Sequence, residues 1–296
     1  MIEVVKDQEE VETFGLMPRA MHAVASALGP GSGRWFIVAG GIIIGFIVVM
    51  SLLAPLISPY DPTTLFVGPD NSPPNAKFPL GTDQYGRDML SRIIWGGRFM
   101  LTVAVMAVLL CLAIGVPIGL ASAYRGGTVD KVVSLVMDSM YAFPSLVLAI
   151  VIIGVFGVNA INEAIAIAVV YVPSYYRVIR SQVLTIKELP YVEGAKSIGS
   201  KSRHILGSYI LPNILPSVVV VATINFADSI LTTAGLDFIG LGRLDLPDWG
   251  VDLYYGRAAL PIGAWWIILF SGTMIVLSAL GFGLISEGLA ERRGRE

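Results

Sequence analysis

Three stretches of this chain, 35–57, 99–124 and 260–286, contain no Asp, Glu, Lys or Arg. Each exceeds the roughly 20 residues that an α-helix needs to cross a bilayer. Hydrocarbon offers a backbone no hydrogen-bond partners, so runs of this kind fold as spanning helices. They set the fold class as an all-α membrane protein. The run 213–236 is a further span, with Asn225 and Asp228 as its main polar interruptions. As one straight helix, 139–176 would extend about 57 Å at ~1.5 Å per residue, against a hydrocarbon core of ~30 Å. It must fold back, and Gly157-Val158-Asn159 to Glu163 supplies the polar turn. The short span after that turn, about 161–179, is expected to be broken by Pro173. Six transmembrane helices result.

Charged residues make up only 14% of the chain and mean hydropathy is +0.74, against about 25% charged in soluble domains. A net charge of −2 argues against nucleic acid as a partner. The single cysteine, Cys111, lies in an apolar run and reads as a packed residue, while His22 and His204 are too far apart in sequence to suggest a metal site. The acidic opening (Glu3, Asp7, Glu9, Glu10, Glu12) is unlike the start of a cleaved signal. Orientation follows the distribution of Lys and Arg. With both termini cytoplasmic, about fourteen of the 20 lie inside, which satisfies the positive-inside bias. The expected organisation is a cytoplasmic segment 1–34, span 35–57, an extracytoplasmic segment 58–98, a core 99–289 and a tail 290–296.

Prolines 59, 62, 69, 73, 74 and 79 keep the first half of the outer segment irregular. Thr82 or Asp83 then caps a short amphipathic helix whose Leu90, Ile93, Ile94 and Gly97 share one face. Arg87, Asp88 and Arg92 are expected off that face, at the headgroup level.

The polar stretch 177–212 stands out between two spans. Val178, Val183 and Ile186 extend the fourth helix to the Leu189-Pro190 break. Pro190 suits a first helical position, and Glu193 in the first turn favours the helix dipole. Val192, Ala195 and Ile198 or Gly199 form a narrow face, Gly199 ends the helix, and Ser200 or Ser202 caps the next. Ile205, Leu206, Tyr209 and Ile210 make a second apolar face that Pro212 should stop. A patterned helix–turn–helix in such a place is an element to dock against.

Glu193-Gly194-Ala195-x3-Gly199 with Leu211-Pro212 resembles the EAA coupling loop of permease subunits in binding-protein-dependent ABC importers. Gly81-Thr82-Asp83-x2-Gly86-Arg87-Asp88-x2-Ser91-Arg92, followed by Gly97-Arg98, is similar to the segment before the second span in dipeptide, oligopeptide and nickel permeases of the C type. Tyr124-Arg125-Gly126-Gly127-x2-Asp130 with Asp138-x5-Pro144-Ser145, and Gly235-Leu236-x-Phe238-Ile239-Gly240-Leu241-Gly242 with Pro247-x-Trp249-Gly250, resemble two further segments of that family in the right order. Departures are Gly194 for the usual second Ala, Tyr209 where many members have Ile, and Thr232 where members often carry a carboxylate. The resemblance implies a cytoplasmic EAA-type coupling helix between spans 4 and 5. It also implies a homologous B-type permease, two ATPase subunits that bind ATP and Mg, and an extracytoplasmic solute-binding protein, all assembled in the lipid bilayer. The chain itself contains no Gly-x4-Gly-Lys-Ser/Thr phosphate loop and is expected to bind no cofactor and to be no enzyme. Peptides are the expected cargo, with oligosaccharides or nickel as alternatives.

Asn225, Asp228, Thr232 and Thr233 lie on neighbouring turns and form a candidate polar stripe along the pathway, or else interhelical contacts. Intramembrane carboxylates face a bundle interior or a water-filled path. As an ion-coupling pair, Asp138 and Asp228 would make a secondary transporter; as a catalytic pair, an intramembrane protease. Gly115, Gly119 and Gly154 read as close-packing points, Trp265 and Trp266 as interface anchors, and Tyr175 and Tyr176 as residues of the inner interface.

Overall fold

The computed structural model describes residues 32–293, so the acidic opening, His22 and the last three residues fall outside it. Among the described residues the chain is helical apart from loops and one isolated bridge, Thr82 to Asp88. In order, the elements are α1 (Ser32–Leu52), α2 (Ala54–Ile57), α3 (Met89–Arg125), α4 (Gly127–Tyr141), α5 (Ser145–Phe156), α6 (Ala160–Ile186), α7 (Pro190–Ser197), α8 (Ser202–His204), a π-helical turn (Ile205–Ile210), α9 (Leu211–Leu236), a second π turn (Asp237–Leu241), α10 (Trp249–Ala259), a 3₁₀ turn (Leu260–Ile262) and α11 (Trp265–Arg293).

Among the described residues four helices are long and apolar enough to cross a bilayer, and a fifth crossing appears if α4 and α5, bent by 89° at Ala142 to Pro144, form one broken span. The fold-back occurs at the expected place. Gly157 takes φ +85°, and the Asn159 side chain caps α6 by accepting from the amides of Ile161 and Asn162. Pro173 does not break α6, which runs on for 27 residues with the proline inside it. The carbonyl that a proline frees can be satisfied by neighbouring groups in a packed bundle, so the rule for exposed helices overstates the break.

Helix α3 is the spine, 37 residues long, and α6 lies along it. Contact is close because Gly115 and Gly119 lack side chains. A Cβ on Gly115 would stand 2.7 Å from that of Tyr175, and one on Gly119 would stand 2.9 Å from that of Ile179. Gly154 has open space around it instead. Tyr175 and Tyr176 are buried in this seam. A second close crossing joins α1 to α11, where Gly40 meets Ile285 and Gly281 meets Ile44.

The segment before α3 departs most from expectation. The cap is Asp88, whose carboxylate accepts from the Ser91 amide at 2.9 Å, so the supposed separate surface helix is the first turns of α3 itself. Arg87, Asp88 and Arg92 are buried, not set at headgroup level. Local spacing could not reveal the burial of Arg92, because its partners Asp252 and Leu246 come from α10 and its flank more than 150 residues later.

Candidate transport site and docking elbow

Two ends of the bundle and a cavity between them carry the polar chemistry. At one end the Gly81–Asp88 segment is a built turn. Gly81 and Gly86 hold φ of +77° and +65°, where a Cβ would be strained. Thr82 accepts the Ser72 amide on its hydroxyl, and its carbonyl accepts from the indole nitrogen of Trp266 at 2.9 Å. Trp266 is therefore a buried brace, whereas Trp265 is exposed as an anchor would be. Asp83 receives the amides of Tyr85 and Arg87 and pairs with the Arg87 guanidinium at 2.5 Å. That guanidinium also lies over the rings of Tyr85 and Tyr255.

The motifs around Gly97 and Trp249 meet here. Trp249 is fully buried, donates to the Ile93 carbonyl at 2.9 Å, and occupies the space where side chains on Gly96 and Gly97 would be. Beside it Arg92, 0% exposed, pairs with Asp252, 1% exposed, at 2.6 Å and also donates to the carbonyls of Pro62 and Leu246. Sequence reading missed this pair; its partners lie 160 residues apart.

Helix α10 lies outside the spanning helices, and burial pushes the Asp252 carboxyl up to about 6 despite the opposing pull of Arg92. Desolvation of a fully buried carboxylate outweighs the return from its partner. The native state therefore holds a proton that the unfolded chain, with an ordinary value of 3.8, has already released. This contribution to stability is present below pH ~4, is lost as pH rises through about 6, and is constant above. We expect Asp252→Asn to flatten thermal unfolding midpoints measured between pH 4.5 and 7 in detergent. An unchanged slope would place the titration elsewhere.

The opposite end carries the elbow. α7 begins with Pro190, has Glu193 in its first turn, and stops in a paired hydrogen-bond cap. The Ser200 amide reaches the Ala195 carbonyl, the Gly199 amide reaches Lys196, and Gly199 takes φ +80°. Val192 and Ala195 are buried against Ala123 of α3, Ile179, Val183 and Ile186 of α6, and Ile205, Ile210 and Ile214 beyond the turn. The other face is bare. Glu193, Gly194 and Gly199 are exposed, and Ile198 is 82% exposed. Pro212 does not end a helix. The helix runs unbroken from Ser202 to Leu236, and Leu211–Pro212 lies inside it; the kink comes later, at Gly240 with φ +94°. Just before the proline the chain widens into π geometry, the Leu211 amide reaching Leu206, which accommodates a residue without an N–H.

Between the ends lies a cavity of about 490 Å³ lined by residues of α4 to α6 and α9, among them Tyr141, Phe143, Tyr171, Ser174, Asn225 and Asp228. Two of the four stripe residues, Asn225 and Asp228, line it. Thr232 is drawn aside by a 2.8 Å hydrogen bond to the Tyr171 hydroxyl, and Thr233 is buried. The spacing of Tyr171, Ser174 and Val178 on α6 could have revealed the facing wall. Asp138 does not join Asp228 in a pair. It sits at the surface, 61% exposed, with Arg177 at 3.0 Å. Arg180 grips Asp130 with two bonds of 2.7 and 2.8 Å, fastening α4 to α6.

A helical bundle of apolar spans, with a largely apolar cavity that Asn225 and Asp228 also line, has the build of a membrane transport permease. Residues 115–292 match the model of the binding-protein-dependent transport system inner membrane component, and residues 35–74 match the N-terminal TM domain of oligopeptide transport permease C. The chain belongs to this inner membrane component family and is a permease subunit of an ABC importer. It is 39% identical over 259 residues to the dipeptide transport system permease protein DppC of Alkalihalophilus pseudofirmus, covering 86% of this chain and 84% of that one. It is 33% identical over 256 residues to the glutathione transport system permease protein GsiD of Pectobacterium atrosepticum, covering 86% and 85%. A solved structure of the MetNI methionine ABC transporter in an inward-facing conformation shares the fold. The TM-score is 0.55 at 17% identity, over 68% of this chain and 97% of that one.

Proposed function

We propose that this permease is the C-type subunit of a peptide importer. It forms one half of a translocation pathway whose other half is a homologous B-type permease. In this reading the chain crosses the cell membrane six times, through α1, α3, the bent α4–α5 pair, α6, α9 and α11, with both termini cytoplasmic. α6 carries Asn162, Glu163, Arg177 and Arg180, which lower its apolarity, but its length of 27 residues and its packing along α3 support a sixth crossing. The excess of Lys and Arg on the α7 side supports the orientation. The names of the dipeptide and glutathione relatives favour peptides over oligosaccharides or nickel.

Coupling runs through residues 190–212, with Glu193, Gly194, Ala195, Gly199, Leu211 and Pro212 as its frame. One observation carries this: α7 is anchored on a single face by Val192 and Ala195, while its tip at Ile198 is exposed. Two ATPase subunits engage that tip, and ATP and Mg bind there and not on this chain. Nucleotide-driven closure of the ATPases fixes the two elbows in one relative position and so biases the pathway between its two openings. The Gly81 to Asp88 turn, with Thr82, Asp83, Gly86 and Arg87, faces the solute-binding protein's side. Asn225 and Asp228 line the path directly, and Thr232 and Thr233 brace it.

Replacing Ile198 with Cys tests topology and docking together, since the native Cys111 is buried. A membrane-impermeant maleimide should label the variant only from the cytoplasmic side, and partner ATPases should protect it. Labelling from outside intact cells would overturn the reading.

A further inference from the structure

We propose that the cavity recognises an ammonium group on the cargo through Asp228, so that the pathway favours solutes with a free amino terminus or a cationic side chain. The inference rests on the peptide reading and specifies which end of the peptide the permease holds. Among the cavity-lining residues Asp228 is the only Asp, Glu, Lys, Arg or His. A lone carboxylate in a wall with no base selects for positive charge and against negative. Burying it without a counter-charge is costly, and a cationic ligand removes that cost.

The remaining walls suit the same group. An ammonium has three N–H donors, and Ser145 and Ser174, which line the same cavity as Asp228, carry hydroxyl acceptors. Tyr141, Phe143 and Tyr171 present aromatic rings, whose faces attract cations. The flank shows this attraction at work: the Arg177 guanidinium lies 4.3 Å from the Tyr141 ring centre while pairing with Asp138. That pair is internally neutralised, which leaves Asp228 as the uncompensated charge of the wall. The volume of about 490 Å³ is of the size that holds a small ligand.

The test uses the full transporter, this chain with its partner permease, ATPases and binding protein, in proteoliposomes. The binding protein is saturated with alanyl-alanine, so that its own selectivity drops out. Asp228→Asn should lower the maximal uptake rate by about tenfold, the worth of one charge-assisted hydrogen bond, and Asp228→Glu should restore it to within a few-fold. The preference for alanyl-alanine over its N-acetylated form should fall by about tenfold in Asp228→Asn, a readout that a purely structural role would not move. Uptake by Asp228→Asn equal to wild type would overturn the inference and leave the peptide reading intact, as would an unchanged preference between the two peptides. A wild-type complex that takes up no peptide would overturn the peptide reading and this inference with it.

Discussion

Gly199→Arg is expected to abolish ATP-driven uptake while leaving the protein folded and inserted. Gly199 sits at φ +80° with no atom within 4 Å of where its Cβ would be, so an arginine meets no steric wall. The left-handed backbone costs about 1–2 kcal/mol for a residue other than glycine, too little to unfold a bundle of this size. The side chain instead projects from the tip beside Ile198 and obstructs whatever seats there. Loss of coupling should lower uptake by roughly a hundredfold. Gly199→Asn separates the two causes, because asparagine adopts the left-handed region readily and adds little bulk. We expect Asn to keep most of the uptake; equal losses in both variants would assign the effect to backbone strain. Uptake in reconstituted vesicles and ATP hydrolysis by the assembled complex are the paired measurements.

The second large effect is on stability. Arg92→Ala should destabilise the chain by about 3–5 kcal/mol, because Asp252 would be left buried without its cation. Two carbonyls, of Pro62 and Leu246, would lose donors at the same time. Replacing both charges, with Arg92→Met and Asp252→Leu, should recover most of the loss, since well-packed apolar residues substitute adequately for a buried pair. Unfolding in detergent, followed by tryptophan fluorescence, would report this directly because Trp249 packs against the same turn. A single variant as stable as the wild type would show that water reaches the site.

What the sequence disclosed was mostly what lipid and local geometry dictate. Uncharged runs gave α1, α3 and α11, and glycine with asparagine gave the fold-back at Gly157 to Asn159. The end of α7 at Gly199 was legible because one residue type relieves one backbone conformation. The prolines misled. Prolines break exposed helices, but α6 runs through the buried Pro173, and at Pro212 a preceding π turn accommodates the missing donor. Arg87 and Arg92 misled for another reason. A charged residue at the start of a span reads as surface until what covers it is known: Asp252 lies 160 residues from Arg92, and although Arg87 pairs locally with Asp83, the Tyr255 ring over it comes from α10. Likewise the polar stripe on α9 was visible, but only the facing wall on α6 determines which of its members see the cavity.

The helix from Ser202 to Leu236 has a mechanical consequence. At ~1.5 Å per residue it spans about 52 Å before the kink at Gly240. A tilt of only about 5° about one end would sweep the other through about 5 Å. Asp228 and the turn that follows the elbow thus sit on a single lever. The widened turn at Ile205–Ile210 lies at its base, so stiffening that turn should alter how far a push travels, not whether the push is felt.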